Sequence, residues 1–209
     1  MRRAATYGLI ALIALVVCST SQAAIIAQLS GITPSGSNFS YNYNLVFSTN
    51  NSLDRLESGS GVLNPGAINS PDFITLYDIG SSAVGGNLVS VNAGPGFAAA
   101  LQNLGINAAQ TSPIDDALLS NVTFTYTGPT ITADTIFPGF SIVVNNNDGT
   151  TLKQFTGQYT DNQGAELGTK IGEIGRVAVP AGVSIPEPAS LVMGLMGVVG
   201  LMNRRRVLR

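Results

Sequence analysis

The chain of 209 residues contains no histidine, no tryptophan and a single cysteine, and only 11% of its residues are charged. Each shortage excludes something. Without histidine there is no Ser-His-Asp or Cys-His nucleophile system, no imidazole general base and no imidazole metal ligand. Without tryptophan, a sugar-cleaving cleft would lack its largest stacking platform. Cys18 has no second cysteine to pair with, so no disulfide can form within the chain and stability must come from packing. Gly-x-Ser-x-Gly, Walker and Rossmann patterns are missing as well, and Gly94-Pro95-Gly96 lacks the third glycine of a dinucleotide loop.

What is present begins with the two ends. Arg2 and Arg3 precede an apolar run from Gly8 to Val17, and Ser19-Thr20-Ser21-Gln22-Ala23 follows. This is the three-part pattern of a secretory signal peptide over residues 1–23. Small residues at Ser21 and Ala23 predict cleavage between Ala23 and Ala24 by signal peptidase after passage through the Sec translocon. Leu15-Val16-Val17-Cys18 approaches a lipobox, but Val17 is bulkier than the residue that normally precedes a lipidated cysteine.

At the other end, residues 181–209 contain Ile185-Pro186-Glu187-Pro188, an apolar run from Ala189 to Met202, and Asn203-Arg204-Arg205-Arg206-Val207-Leu208-Arg209. The prolines bias Ile185 and Glu187 toward extended backbone, a shape that suits a protease groove. The apolar run is shorter than the roughly 20 residues of a full membrane span. Arginine snorkelling, or Ala178–Ile185 lying in the headgroup region, would make up the difference. The alternative, a buried core helix, is disfavoured by a segment apolar on all faces that stops at an arginine cluster. The order Pro-Glu-Pro, hydrophobic helix, arginines resembles the PEP-CTERM sorting signal of exported Gram-negative envelope proteins. That resemblance covers the tail alone. It implies an exosortase as partner, with Pro186, Glu187 and Pro188 recognised for processing, the apolar helix halting translocation in the inner membrane, and Arg204, Arg205, Arg206 and Arg209 retained in the cytoplasm. It also implies delivery to the cell surface or extracellular matrix, where such cargo is often linked with exopolysaccharide or biofilm.

Between the expected processing sites, residues 24–185 carry four basic and eleven acidic residues, a net charge of −7, whereas the whole chain stands at −2. An acidic domain of this kind will not bind nucleic acid electrostatically. Basic residues flanking both apolar ends place both ends inside and the middle outside.

The middle, residues 24–180, reads as one all-β domain. Phe39, Tyr41, Tyr43, Leu45 and Phe47 alternate with polar residues over most of their run, as do Val122, Phe124 and Tyr126, and then Phe140, Ile142 and Val144. Period two predicts half-buried strands. Further strands are expected at residues 24–29, 73–79, 87–91, 152–159 and 170–179. Asp148-Gly149 predicts a primed hairpin joining residues 140–145 to 152–159. Phe97, Leu101 and Leu104 at i, i+4 and i+7, with Gly105 as a stop, predict a short helix, and Ser112-Pro113 predicts another helical turn. The expected fold is an antiparallel β-sandwich, jelly-roll-like in one version, with one or two short helical crossovers, flanked by the signal peptide and the C-terminal hydrophobic helix. The pattern shared by residues 37–44 and 120–127 reads as two strands with one alternation rather than a duplication.

Candidate chemistry is sparse. Carboxylate pairs for glycan hydrolysis are Asp54 with Glu57, Asp115 with Asp116, and Glu166 with Glu173, each more simply read as a solvated loop or strand-edge charge. Lys153 and Lys170 are the only lysines for a Ser-Lys dyad, and neither sits in a motif. Asn145–Gly149 and Asp161–Glu166 offer oxygen ligands for calcium, but match no EF-hand or nonapeptide repeat, and otherwise no cofactor is expected. Tyr41, Tyr43, Tyr77, Tyr126 and Tyr159 would furnish a carbohydrate-stacking face if exposed, and core packing if not. The expected role is therefore a non-enzymatic exported envelope or matrix protein, with a carbohydrate-binding module or a carboxylate-based glycan hydrolase as alternatives.

Overall fold

The structure, a computed structural model, describes residues 24–49, 54–80, 87–163 and 167–181. The signal peptide, Ala23 and the sorting tail with Pro186, Glu187, Pro188, Arg204, Arg205, Arg206 and Arg209 lie outside the described residues. Ten strands follow in order: β1 (Ala24–Ser35), β2 (Asn38–Ser48), β3 (Asp54–Arg55), β4 (Phe73–Ile79), β5 (Leu88–Asn92), β6 (Phe97–Gln102), β7 (Ser120–Tyr126), β8 (Thr135–Val144), β9 (Thr150–Asp161) and β10 (Lys170–Pro180). They form two antiparallel sheets. The four-stranded sheet runs β1-β2-β8-β5 and the six-stranded sheet runs β10-β9-β4-β7-β6, with β3 pairing with β9.

The alternation in β2 is what buries it. Tyr41, Tyr43, Leu45 and Phe47 join one hydrophobic cluster with Ile74 and Leu76 of β4, Val122 and Phe124 of β7, and Val177 and Val179 of β10. That cluster draws on both sheets. At one end, Phe97 of β6 stands edge-on to Phe140 of β8 and to Tyr126 of β7, each at 5.0 Å between centroids, and Phe124 repeats the contact with Phe140 at 5.0 Å. Such edge-to-face pairs contribute about 0.5–1.5 kcal/mol each beyond their buried area.

Three local expectations are corrected. Among the described residues there is no helix, and hence none long and apolar enough to cross a membrane. Residues 97–102 form strand β6, paired with β7 from Phe97↔Tyr126 to Gln102↔Asn121. Leu101 and Leu104, read as one helical face with Phe97, are 52% and 64% exposed. Cross-strand pairing of the small Ala98, Ala99 and Ala100 outweighed a three-residue spacing. Residues 112–116 are extended loop rather than a helical turn.

The Asp148-Gly149 segment is the third correction. Gly149 takes the expected positive φ (86°), yet β8 and β9 belong to different sheets, so the segment turns a corner between sheets. β8 pairs with β2 and β5, while β9 pairs with β10, β4 and β3. Tyr41 accounts for the corner, since its hydroxyl donates to Gly149 O at 2.7 Å and holds the loop over the end of β2.

Candidate functional site

The six-stranded sheet has an unusual outer face. Thr75, Thr123, Thr156, Gln158 and Thr160 are all fully buried although they point away from the hydrophobic cluster. Two chain segments, residues 56–72 and 103–119, cover them. A covering loop brings backbone N–H and C=O groups that need partners, and hydroxyls and amides on the sheet supply them. The Ala108 N–H donates to Thr156 Oγ1 and the Ala109 N–H to Gln158 Oε1, both at 3.3 Å. Gln158 also serves the other loop, accepting from the Gly66 N–H at 3.2 Å and donating to Pro71 O at 3.3 Å. Gly172 permits the close approach, because a Cβ there would stand 2.0 Å from Ala109 O.

At one end of this face lies a charge cluster. Lys170 opens β10 opposite Thr160 of β9, and its ammonium contacts Asp72 Oδ1 at 3.0 Å, Glu57 Oε1 at 3.0 Å and Thr160 Oγ1 at 2.6 Å. The side chains of Lys170 and Asp72 are 0% exposed, that of Glu57 18%. Asp72 Oδ2 accepts from the Glu57 N–H at 2.8 Å, and Thr160 Oγ1 sits 3.0 and 2.9 Å from the two Asp72 oxygens. Arg55 closes the outer side, with Nε 2.9 Å from Glu57 Oε2 and Nη1 donating to Asn162 Oδ1 at 2.9 Å. Burial pushes the Asp72 carboxyl up to about 7 against the pull of Lys170 and its hydrogen bonds. Burial also pushes Glu57 up, but Lys170 and then Arg55 outweigh it and hold that carboxyl below its ordinary value.

Above the cluster opens a groove of about 450 Å³ lined by Arg55, Glu57, Ser58, Ser60, Asn69 and Thr130, with Ile68 and Leu167 on its apolar side. Its polar groups suit hydrogen bonding to a neutral, hydroxyl-rich ligand. Only Glu57 connects the groove to the buried charges.

Among the described residues, the carboxylates of the pairs Asp54 with Glu57 and Asp115 with Asp116 have different partners. Asp54 lies near Tyr159, while Glu57 faces Lys170. Asp115 accepts from Gly105 N–H and Asn121 Nδ2, both at 2.8 Å, while Asp116 accepts from the Leu118 N–H at 2.9 Å. Glu166 lies outside the described residues, and Glu173 of β10 lies near Tyr159 and the Ile25 backbone of β1. Burial pushes Glu173 up to about 7, opposed only by the Ile25 N–H, and its Oε1 has no hydrogen-bond partner. Lys153 pairs with Asp78 at 3.3 Å. Asn147 in the first candidate calcium loop is bonded to Tyr41, and among the described residues no three His, Cys, Asp or Glu side chains cluster as metal ligands. Tyr41, Tyr43, Tyr77, Tyr126 and Tyr159 are all buried, so they form core and loop anchors rather than a stacking face.

Sequence reasoning named Glu57 and Lys170 separately and missed Asp72 and Thr160 as their partners. One signal was available: in a domain with four basic residues, Lys170 opens a strand whose other residues are apolar apart from Glu173 and Arg176. Such a lysine demands a buried acid. Compared with known proteins, no family model matches the chain, and no curated protein or solved structure is recognisably similar to it.

Proposed function

We propose that the chain is a non-enzymatic exported envelope or extracellular-matrix protein, a β-sandwich of jelly-roll type delivered by an exosortase. The observation that carries this reading is the tail, in which Pro186-Glu187-Pro188, the apolar run and Arg204–Arg206 with Arg209 stand in the order of a PEP-CTERM signal. The fold is compatible with it. Nested pairing of β2 with β8 and β4 with β7, alternating between the sheets, supports the jelly-roll arrangement. β10 is an edge strand ending at Pro180, so the last strand of the domain closes before Pro186-Glu187-Pro188 begins. In this account the tail holds the protein briefly in the inner membrane of a Gram-negative bacterium. Cleavage near Pro188 then releases the domain toward the surface or an exopolysaccharide matrix.

The test is mass spectrometry of the protein recovered outside native cells, beside the same strain without its exosortase. A species running from Ala24 to near Pro188, lost in the mutant, is the expected result. A product retaining Arg209 refutes the sorting reading.

A second reading, a carbohydrate-binding module, is favoured by the hydroxyl- and amide-lined groove between Arg55 and Thr130. It predicts retardation in polysaccharide gels that Asn69→Ala and Thr130→Ala abolish. A glycan hydrolase finds less support, because Asp72, the carboxylate nearest Glu57 through Lys170, is sealed from any substrate.

A further inference from the structure

We propose that Lys170 and Asp72 become joined by an intramolecular amide bond between Nζ and Cγ, with Glu57 as the proton carrier. Four parts of an acyl-transfer site converge on this pair. The nucleophile is Lys170 Nζ, 3.0 Å from Asp72 Oδ1 and so beside the Cγ that carries this oxygen, and water is kept out because both side chains are 0% exposed. The electrophile is the Asp72 carboxyl. The Glu57 N–H, 2.8 Å from Asp72 Oδ2, is placed where charge develops on that oxygen, and Thr160 Oγ1 stands 2.9 Å from the same atom. The general base is Glu57 Oε1, 3.0 Å from the same Nζ, with Arg55 bonded to its other oxygen.

The step balances without a co-reactant. The ammonium proton passes to Asp72 Oδ1, giving a neutral amine beside a neutral acid, an exchange favoured where water is excluded. Burial of Asp72, which pushes its carboxyl up to about 7, makes the acid form accessible near neutrality. The nitrogen lone pair adds to Cγ while Oδ2 takes the charge. Glu57 removes the second nitrogen proton and returns it to the Oδ1 hydroxyl, which leaves as water. One C–N bond forms and one C–O bond breaks, with no change of oxidation state or net charge.

The bond has a structural use in this molecule. Residues 24–181 contain no cysteine, so no disulfide ties the domain. Lys170 begins the edge strand β10, Asp72 immediately precedes the inner strand β4, and β9 lies between them. The amide would staple the edge strand across β9 and close a loop of nearly one hundred residues, which constrains the unfolded chain as a long-loop disulfide does.

The experiment is peptide mapping of the full chain after complete denaturation. Trypsin cannot cleave at an acylated lysine, and no lysine or arginine lies between Arg55 and Lys153. The expected product is a branched species joining 56–153 to 154–176, lighter by one water than the two peptides summed. Separate peptides 56–153 and 154–170 at full mass overturn the proposal, whatever any variant does. Lys170→Arg, which keeps the charge, must yield no branched species. Glu57→Gln, with its fold checked by circular dichroism, should slow bond formation after refolding by about 100-fold or more. If that variant does not fold, Glu57→Asp, which withdraws the base by one methylene, serves the same comparison. A folded Glu57 variant linked as fast as the native chain removes Glu57 from the mechanism.

Discussion

The outer faces of the two sheets are built from the same residue types and behave oppositely. On the four-stranded sheet, Ser40, Asn42, Thr33, Asn92 and Ser141 bond one another in reach of water, as in Asn42 Nδ2 to Thr33 Oγ1 at 3.1 Å and Asn92 Nδ2 to Ser141 Oγ at 3.0 Å. On the six-stranded sheet, Thr75 and Thr123 meet at 2.9 Å in complete burial, and Thr156, Gln158 and Thr160 bind the backbone of two covering segments. A polar outward residue is optional where water can replace its partner. Beneath a loop it becomes obligatory, because no water replaces what is lost. The six-stranded sheet is therefore where substitutions should be costly, and where the chain can hold a lysine fully out of solvent.

The largest expected effect is at Lys170. Lys170→Met leaves the buried Asp72 without its cation while Glu57 keeps only Arg55, and urea denaturation should show a loss of about 3–5 kcal/mol. A loss under 1 kcal/mol would mean that the buried charges are not what secures this face.

Glu173 sharpens the contrast from the edge where β10 meets β1. Its carboxyl, raised from 4.5 to about 7 by burial, binds a proton more tightly when folded than unfolded. The sign follows: this group opposes folding when ionised, so its contribution is most favourable below about pH 4.5 and is lost as pH rises through about 7. Glu173→Gln should thus stabilise the protein by up to about 3 kcal/mol at pH 8 and by almost nothing at pH 4. Thermal melts at the two pH values check it, and an equal gain at both would exclude the ionisation as cause.

Gly172→Ala forces a methyl into Ala109 O and should cost about 1–3 kcal/mol, while raising amide exchange at Ala108 and Ala109. Unchanged exchange at those two amides would break the link between the covering segment and β10. The smallest effect belongs to the open face, where Asn42→Ala should stay within about 0.5 kcal/mol of the native protein. A cost as large as that at Gly172 would erase the difference between the sheets.

How far the fold was legible follows the same division. Strands β2, β7 and β8 could be read because apolar alternation reports one buried face, while β4 and β10 were expected on less regular runs whose bounds agree within a residue. β6 could not, since its small alanines carry no period and its leucines are exposed. The corner at Asn145–Thr150 shows the limit differently: the turn residues were right, but turn chemistry says nothing about which sheet receives the next strand. In the candidate site, Glu57 and Lys170 attracted notice only singly, because their partners stand at residues 72 and 160, and no local pattern spans such separations.

The sequence by itself determined the all-β class, the inward residues of the main strands, the lack of histidine and disulfide chemistry, and the apolar and basic runs at the two ends. Those properties depend on composition and on neighbours a few positions apart. Only the tertiary structure decided that β8 and β9 part company, that Tyr41, Tyr43, Tyr77, Tyr126 and Tyr159 are buried, and that Lys170, Asp72 and Thr160 share a space out of solvent beside Glu57. Burial is the reason: whether a threonine, a carboxylate or a lysine is solvated or committed depends on what the remote chain lays over it, and that covering is set by the packing of whole sheets and loops.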